Sequence, residues 1–347
     1  MFFRRTVLHC ALRIISKNTY SGYLRQSFNA GMQKSLRWTH SKYKIENVTP
    51  KIPVKVRCMK EEDIPQVMEL RRQVRVHDVS TFLQTWLKID PEGMFVVLTK
   101  DDKIIGVVSM VENHPGLYMG GLYCIHEKYR RQGVGSHLCN CVLPRIKDKI
   151  AIGNSVLHMT EKYVKAGQLP YIDENLTTLK NYIPNIGSPN VLGNKDLPDN
   201  IEIEPFQKNL LPSIVQYDAS VVGFERAQML ELSCQEGDSE TFLAFRNGAC
   251  IGYGSIKRSC LGAGRVSPLF ADDPTVAEAL LKKLLESYPN RNGFAMLTLK
   301  NNEFSSSMIR KLGNPETETC MRIYSKAKIE VDTKRIFALT DMNLSVI

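Results

Sequence analysis

No acidic residue precedes Glu46, no histidine follows His158, and no Cys-x-x-Cys pair occurs anywhere in the chain. No apolar run approaches the ~18 residues that a membrane-spanning helix requires, so no membrane insertion is expected. The nine cysteines, an odd number scattered from Cys10 to Cys320, show no metal-ligand spacing and read as reduced, mostly buried thiols; no metal is expected. Cys139 and Cys141 stand two apart on a predicted helix and so point to different faces. The shortage of acid at the start explains the formal charge of +10. Nine basic residues fall before Glu46: Arg4, Arg5, Arg13, Lys17, Arg25, Lys34, Arg37, Lys42 and Lys44. Setting them aside leaves 37 basic against 36 acidic residues, a near-neutral remainder. A general phosphate-binding surface, and with it a nucleic-acid partner, is not indicated.

The 347 residues suggest two domains plus an extension. Residues 1–45 are rich in Arg, Ser and Thr. Phe3, Val7, Ala11 and Ile14 fall on one helical stripe, with Arg5 and Arg13 opposite. This predicts a mitochondrial transit peptide; a basic tail without a fold, on a cytoplasmic protein, is the alternative. A secretory signal fits worse, because His9 and Arg13 interrupt the apolar stretch.

The first folded region is predicted over residues 54–186. Residues 54–59 alternate like an opening strand, and 61–76 read as a helix with Ile64, Val67, Met68 and Leu70 apolar. Runs 94–99 and 104–111 are β-rich and joined by a Lys100-Asp101-Asp102-Lys103 turn, and 117–125 is a third β-run. A helix begins near Gly133 and should end or kink at Pro144. A short strand at 151–157 and a helix at 160–166 follow. A Pro-, Gly- and Asn-rich linker spans 187–200. The second region, 201–347, repeats the order: a strand at 201–206, helical stretches to about 235, a hairpin over Asn247-Gly248, a strand at 265–270, a helix at 274–287, a strand at 294–299, a helix at 306–312 and a strand at 321–325. The repetition of element order reads as a divergent internal duplication.

The chemistry-bearing segment is Arg130-Arg131-Gln132-Gly133-Val134-Gly135-Ser136, between a β-run and a helix. The first amides of a helix have no internal partner, and the helix dipole adds positive potential there. Glycines let a backbone approach phosphate oxygens without Cβ clashes, and Arg130 and Arg131 supply charge and fork geometry. The pattern is not a dinucleotide fingerprint, because Leu138 stands where a third glycine belongs, and it lacks the Gly-Lys-Ser/Thr of a nucleotide phosphate loop.

In context, the stretch from Gly120 through Leu122-Tyr123-Cys124-Ile125 to Gly135 and Leu138 resembles motif A of the GNAT N-acetyltransferases. Ile105-Gly106-Val107-Val108 on the preceding run and Tyr163-x-x-x-Gly167 further on also fit that family, with Gln168 standing where Phe is usual. The second region resembles the C-terminal domain of a two-domain GNAT subfamily, through Tyr217-Asp218-Ala219, Gly223-Phe224-Glu225-Arg226 and Pro268-Leu269-Phe270-Ala271-Asp272-Asp273. The resemblance implies an α/β (α+β) fold of tandem GNAT-like domains, each a mixed, mostly antiparallel sheet flanked by helices, the second copy degenerate. Asp272 and Asp273 replace the glycine loop there and would repel a pyrophosphate; Asp273-Pro274 instead reads as a helix cap. The second domain is therefore expected to cover the active site and shape the acceptor pocket.

The implied activity is direct transfer of an acetyl or short acyl group from CoA to an amine, the acceptor a small amine or amino acid. Acetyl-CoA or another acyl-CoA would be the co-substrate. Residues 122–125 would carry the pantetheine arm, a backbone N–H near Tyr123–Cys124 would polarise the thioester carbonyl, and residues 130–136 would hold the phosphates. Tyr163 resembles the family's thiolate-protonating tyrosine. Glu112, just past a β-run, is a candidate general base, with His126 and His158 as weaker ones. Tyr217, Asp218, Phe224 and Arg226 form a polar–aromatic cluster that reads first as a structural network and second as acceptor recognition. A protein N-acetyltransferase and a catalytically silent CoA-binding protein remain the alternatives. Oligomeric state is not legible.

Overall fold

The computed structural model describes residues 48–193, 197, 200–289 and 291–347; the transit peptide expected over 1–45 lies outside the described residues, as does part of the 187–200 linker. The first half opens with β1 (Lys55–Cys58) and, after a 3-10 turn at Glu61–Asp63, helix α1 (Ile64–Gln73). Pro65 sits in the first turn of α1, where an absent N–H leaves nothing unsatisfied. The helix stops short of Val76. A second helix, α2 (Ser80–Ile89), was not anticipated, although Phe82, Leu83 and Trp86 bury one side of it. Strands β2 (Met94–Leu98), β3 (Ile104–His114) and β4 (Leu117–Ile125) form an antiparallel meander. Helix α3 (Val134–Val142) gives way to a 3-10 turn at Leu143–Ile146, as Pro144 requires. Strand β5 (Ile150–Val156), helix α4 (Leu157–Lys165) and strand β6 (Tyr171–Ile183) complete this half.

The second half repeats the order: β7 (Ile201–Pro205), α5 (Leu211–Val222), α6 (Ala227–Cys234), β8 (Ser239–Arg246), β9 (Ala249–Arg258), β10 (Gly264–Ala271), α7 (Pro274–Ser287), β11 (Phe294–Leu299), α8 (Glu303–Leu312), β12 (Glu316–Tyr324) and a short β13 (Ile336–Ala338). The β8–β9 hairpin turns on Asn247 and Gly248, both left-handed, the conformation that suits a two-residue turn to strand twist. Asp273 caps α7, accepting from the Thr275 and Val276 amides at 3.0 Å each, as the Asp-Pro pair predicts.

The strands form one sheet in the order β1-β2-β3-β4-β5-β12-β6-β11-β10-β9-β8-β7, with β13 on β10. Each half thus gives a strand to the other. β12 lies between β5 and β6 of the first half, and β6 lies between β12 and β11 of the second. The β5–β12 join carries a side-chain tie: Arg322, wholly buried, donates to Asn154 Oδ1 at 2.9 Å and to the Val346 carbonyl at 2.6 Å. Both faces of the sheet are covered. Apolar residues of α1, α2, α5, α6 and the segment 339–347 pack on one face. Those of α3, and of α7 with α8, form separate clusters. Double coverage explains why β3 and β10 read as near-continuous apolar runs.

Candidate active site

Strands β4 and β5 pair in parallel from Leu117↔Ile150 to Gly120↔Gly153 and no further. Beyond Gly120, β4 keeps its ladder with β3 while parting from β5, which opens a wedge between two parallel strands. At the wedge, Leu122 and Tyr123 together oppose the single residue Val108, a β-bulge, and Leu122 is left-handed at φ 52°. The bulge is held from outside the half that contains it. The Leu122 amide donates to Asn343 Oδ1 at 3.1 Å, Asn343 Nδ2 donates to Asp78 Oδ1 at 3.1 Å, and Ser109 Oγ donates to the Asn343 carbonyl at 3.0 Å. A Cβ at Gly121 would lie 2.3 Å from Asn343 Cα, so only glycine admits this approach. Asp78 is paired with Arg71 at 2.5 Å inside the protein, and Arg71 holds the carboxyl below the usual carboxylate range against the opposing effect of burial.

Past the wedge, His126 caps a 3-10 turn at Glu127–Tyr129, its Nδ1 accepting from the Lys128 amide at 3.3 Å. Arg130 Nε donates to the Ile125 carbonyl at 3.0 Å and draws the loop back on its strand. Arg131 and Gly133 are left-handed, at φ 60° and 81°, which turns the chain into α3. The first amide after this turn to bond within the helix is that of His137, on the Gly133 carbonyl at 3.0 Å. The amides of Arg131 through Ser136 have no acceptor among the described residues. Gly133 packs under Val48, Thr49 and Pro50, and Lys51 N–H donates to the Gln132 carbonyl at 2.8 Å. This cradle of outward amides, at a helix start and beside a parallel-strand wedge, fits a diphosphate whose organic arm runs into the wedge.

Tyr163, on α4, meets this region through Cys139 of α3 and Tyr123 of the bulge. Burial raises the Tyr163 phenol well above its ordinary value, with Cys139 adding to the shift. Tyr123 is 37% exposed, but its hydroxyl is sunk beside Cys139 and lies over the Cα of Gly135, and burial raises that phenol likewise. Burial pushes the Cys139 thiol up to about 11, and the Cys124 thiol up as well, so neither offers a thiolate at neutral pH. The structure thus brings together residues 122–125, 130–136 and Tyr163.

It does not bring Glu112 to them. Strand β3 runs on to His114, which makes Glu112 an in-strand residue opposite Tyr118. Its carboxylate accepts the Gly116 amide at 2.9 Å and closes the β3–β4 turn. Tyr118 precedes Leu122 by four residues, about 13 Å of strand from the bulge. As a general base Glu112 is therefore misplaced. His126 is spent on its turn, and His158 is exposed at the start of α4. Asp218 and Arg226 form a buried bidentate pair at 2.7 Å, Tyr217 donates to Asp272 at 3.0 Å, and Phe224 stacks on His114 at 5.1 Å. That is the structural network expected of them. His77, Asp78 and Asn343 were missed. The adjacent glycines Gly120-Gly121 inside a β-run were the signal that another backbone comes close.

The second half has a wedge of its own. Parallel pairing of β10 with β11 ends at Val266↔Met296, but β13 pairs beyond it, Leu269↔Ala338 and Phe270↔Ile336, and the Leu339 amide donates to the Leu297 carbonyl at 2.9 Å. The chain fills this gap with itself.

A bulged strand parting from its parallel neighbour beside a glycine loop at a helix start defines an acyltransferase fold of the GNAT class. Two family models agree: one described as an acetyltransferase (GNAT) family matches residues 61–165, and one described as an acetyltransferase (GNAT) domain matches 214–338. The chain is a two-domain GNAT protein, with a mixed sheet flanked by helices and the domains in tandem. Among solved structures, a Pyrococcus horikoshii protein described as an acetyltransferase is 18% identical with a TM-score of 0.64, covering 89% of this chain and 100% of its own. A tandem GNAT protein from the clavulanic acid biosynthesis pathway is 11% identical with a TM-score of 0.54, covering 80% and 100%. Saccharomyces cerevisiae N-myristoyltransferase, solved with myristoyl-CoA and inhibitors, is 13% identical with a TM-score of 0.56, covering 91% and 93%. These likenesses are of fold. A search of the curated proteins found no match.

Proposed function

We propose that this protein is an acetyl-CoA-dependent N-acyltransferase acting on a small amine or amino acid. The observation that carries the reading is the run of outward amides from Arg131 to Ser136, set beside the β4–β5 wedge. Acetyl-CoA supplies the acyl group: a carbon–nitrogen bond to the acceptor replaces the carbon–sulfur bond, the amine gives up a proton and the departing sulfur gains one. The loop amides, the α3 dipole and the guanidinium of Arg131 neutralise the diphosphate. The backbone at Tyr123–Cys124 lies along the wedge and donates to the carbonyl oxygen as charge builds. The Leu122 amide is committed to Asn343 and holds the bulge instead. Tyr163, kept protonated by burial, delivers the proton that the sulfur takes.

The test is ligand-induced stabilisation against a panel of acyl-CoAs, followed by a free-thiol assay with candidate amines. Acetyl-CoA should raise the melting temperature, and Gly135→Val should abolish that shift while the variant remains folded. Acetyl-CoA affinity surviving in Gly135→Val would show that the cradle is not the cofactor site.

A further inference from the structure

On the sheet face that carries α1 and α2 lies an open cleft of about 610 Å³, built from both halves. The turn between α1 and α2 supplies Arg75, His77 and Asp78; β6, β11 and β12 supply its floor. Only the strand exchange places these elements side by side. The cleft is tied to the bulge by one side-chain relay: Asp78 lines it and is one hydrogen bond from Asn343, which is one hydrogen bond from the Leu122 amide.

The charges of the cleft come in pairs, with two exceptions. Asp78 is held by Arg71, Arg265 by Asp341 at 2.7 Å, and Lys180 by Glu318. The guanidinium of Arg75 and the carboxylate of Glu316, both on exposed residues, make no hydrogen bond or ion pair among the described residues. Arg75, left-handed at φ 53°, lines the cleft where the chain turns between the helices. The same cleft is lined by uncharged groups: Leu297, Met342, and the rings of His77 and Tyr182 at 4.3 Å. His77 shares a hydrogen bond with Ser259 Oγ at 3.1 Å, and burial together with the Arg265 cation makes its ring neutral. One uncommitted guanidinium, one uncommitted carboxylate and an uncharged wall complement a molecule bearing one group of each sign.

We propose that this cleft is the acceptor site and that it takes a small primary amine carrying a carboxylate, with Arg75 as the carboxylate anchor. The proposal rests on the acyltransferase reading above. The Arg75 fork receives the carboxylate in paired hydrogen bonds, Glu316 draws the ammonium in, and the organic body lies on the His77–Tyr182 wall.

The test pairs each acid with its carboxylate-free counterpart under acetyl-CoA, reading thiol release. The pairs are phenylalanine with phenethylamine, leucine with isopentylamine, β-alanine with ethylamine, and 6-aminohexanoate with pentylamine. At least one acid should exceed its counterpart tenfold or more in kcat/KM; the α and ω members tell which amine–carboxylate spacing the cleft accepts. Arg75→Ala should raise KM for that acid about tenfold and erase its advantage over the amine, and Arg75→Lys should restore part of it. The proposal is overturned if the amines serve as well as the acids, if Arg75→Ala leaves KM for the acid unmoved, or if wild-type protein binds acetyl-CoA yet acetylates none of the acids. Failure of wild-type protein to bind acetyl-CoA would instead overturn the acyltransferase reading.

Discussion

Asn343 holds Leu122 across 221 residues of sequence: its Oδ1 accepts the Leu122 amide at 3.1 Å, and its backbone lies where any side chain at position 121 would have to go. The bulge that shapes the wedge of the first half is therefore a property of both halves. β6 and β12 repeat the lesson on a larger scale, since each completes the strand set of the other half.

Gly121→Ala should show this coupling. The added methyl would meet the Asn343 Cα at 2.3 Å and its carbonyl oxygen at 2.4 Å, both backbone atoms that cannot swing aside. Overpacking of this kind costs about 1–3 kcal/mol. Urea unfolding should show one cooperative transition at a lower midpoint, and turnover should fall as the bulge shifts. An unchanged midpoint would mean that the 339–347 segment yields freely.

Acetyl-CoA should bind once per chain. The β4–β5 wedge is open beside an amide cradle, whereas β13 fills the β10–β11 wedge and Asp273 already caps α7. Titration calorimetry should return a stoichiometry of one. A second site of similar affinity would require β13 to leave its strand.

Tyr163→Phe should lower kcat on the order of 100-fold, the usual scale for a lost proton donor, with acetyl-CoA affinity unchanged. Burial raises the phenol above its ordinary value of 10.0, so it stays protonated through the neutral and mildly alkaline range. Any fall of kcat between pH 8 and 10 should therefore persist in the variant.

His77 should make the protein acid-sensitive. Burial and the Arg265 cation push its imidazole from 6.5 down to about 4, so below pH 6.5 the unfolded chain binds a proton that the folded chain refuses. Stability contributed by the neutral ring is complete above pH 6.5 and is lost as pH falls to about 4, a total on the order of 3 kcal/mol. His77→Gln should flatten the acid limb of a stability–pH curve over that window; a limb identical to wild type would show that other groups set it.

Several elements were legible because their causes are local. Asn247-Gly248 specifies its own turn, Asp273-Pro274 its own cap, and the β-rich runs of β2 and β3 on either side of Lys100-Asp101-Asp102-Lys103 their own hairpin. β6 was not legible: Asp173, Glu174, Asn175, Thr177, Thr178, Lys180 and Asn181 give it the polarity of a loop. It is a strand because β11 and β12, more than a hundred residues later, pair with it on both sides. Glu112 was misplaced for a related reason, since the length of β3 depends on where its partner β4 begins.

The glycine loop and the helix it opens belong to the sequence alone, because left-handed turns, capping and free helix amides are decided within a few residues. The exchange of β6 and β12, the seating of Asn343 on Gly121 and the cleft behind Arg75 belong to the tertiary structure. They join segments whose own residues carry no record of each other, and only the burial gained when the two halves close on one sheet selects them.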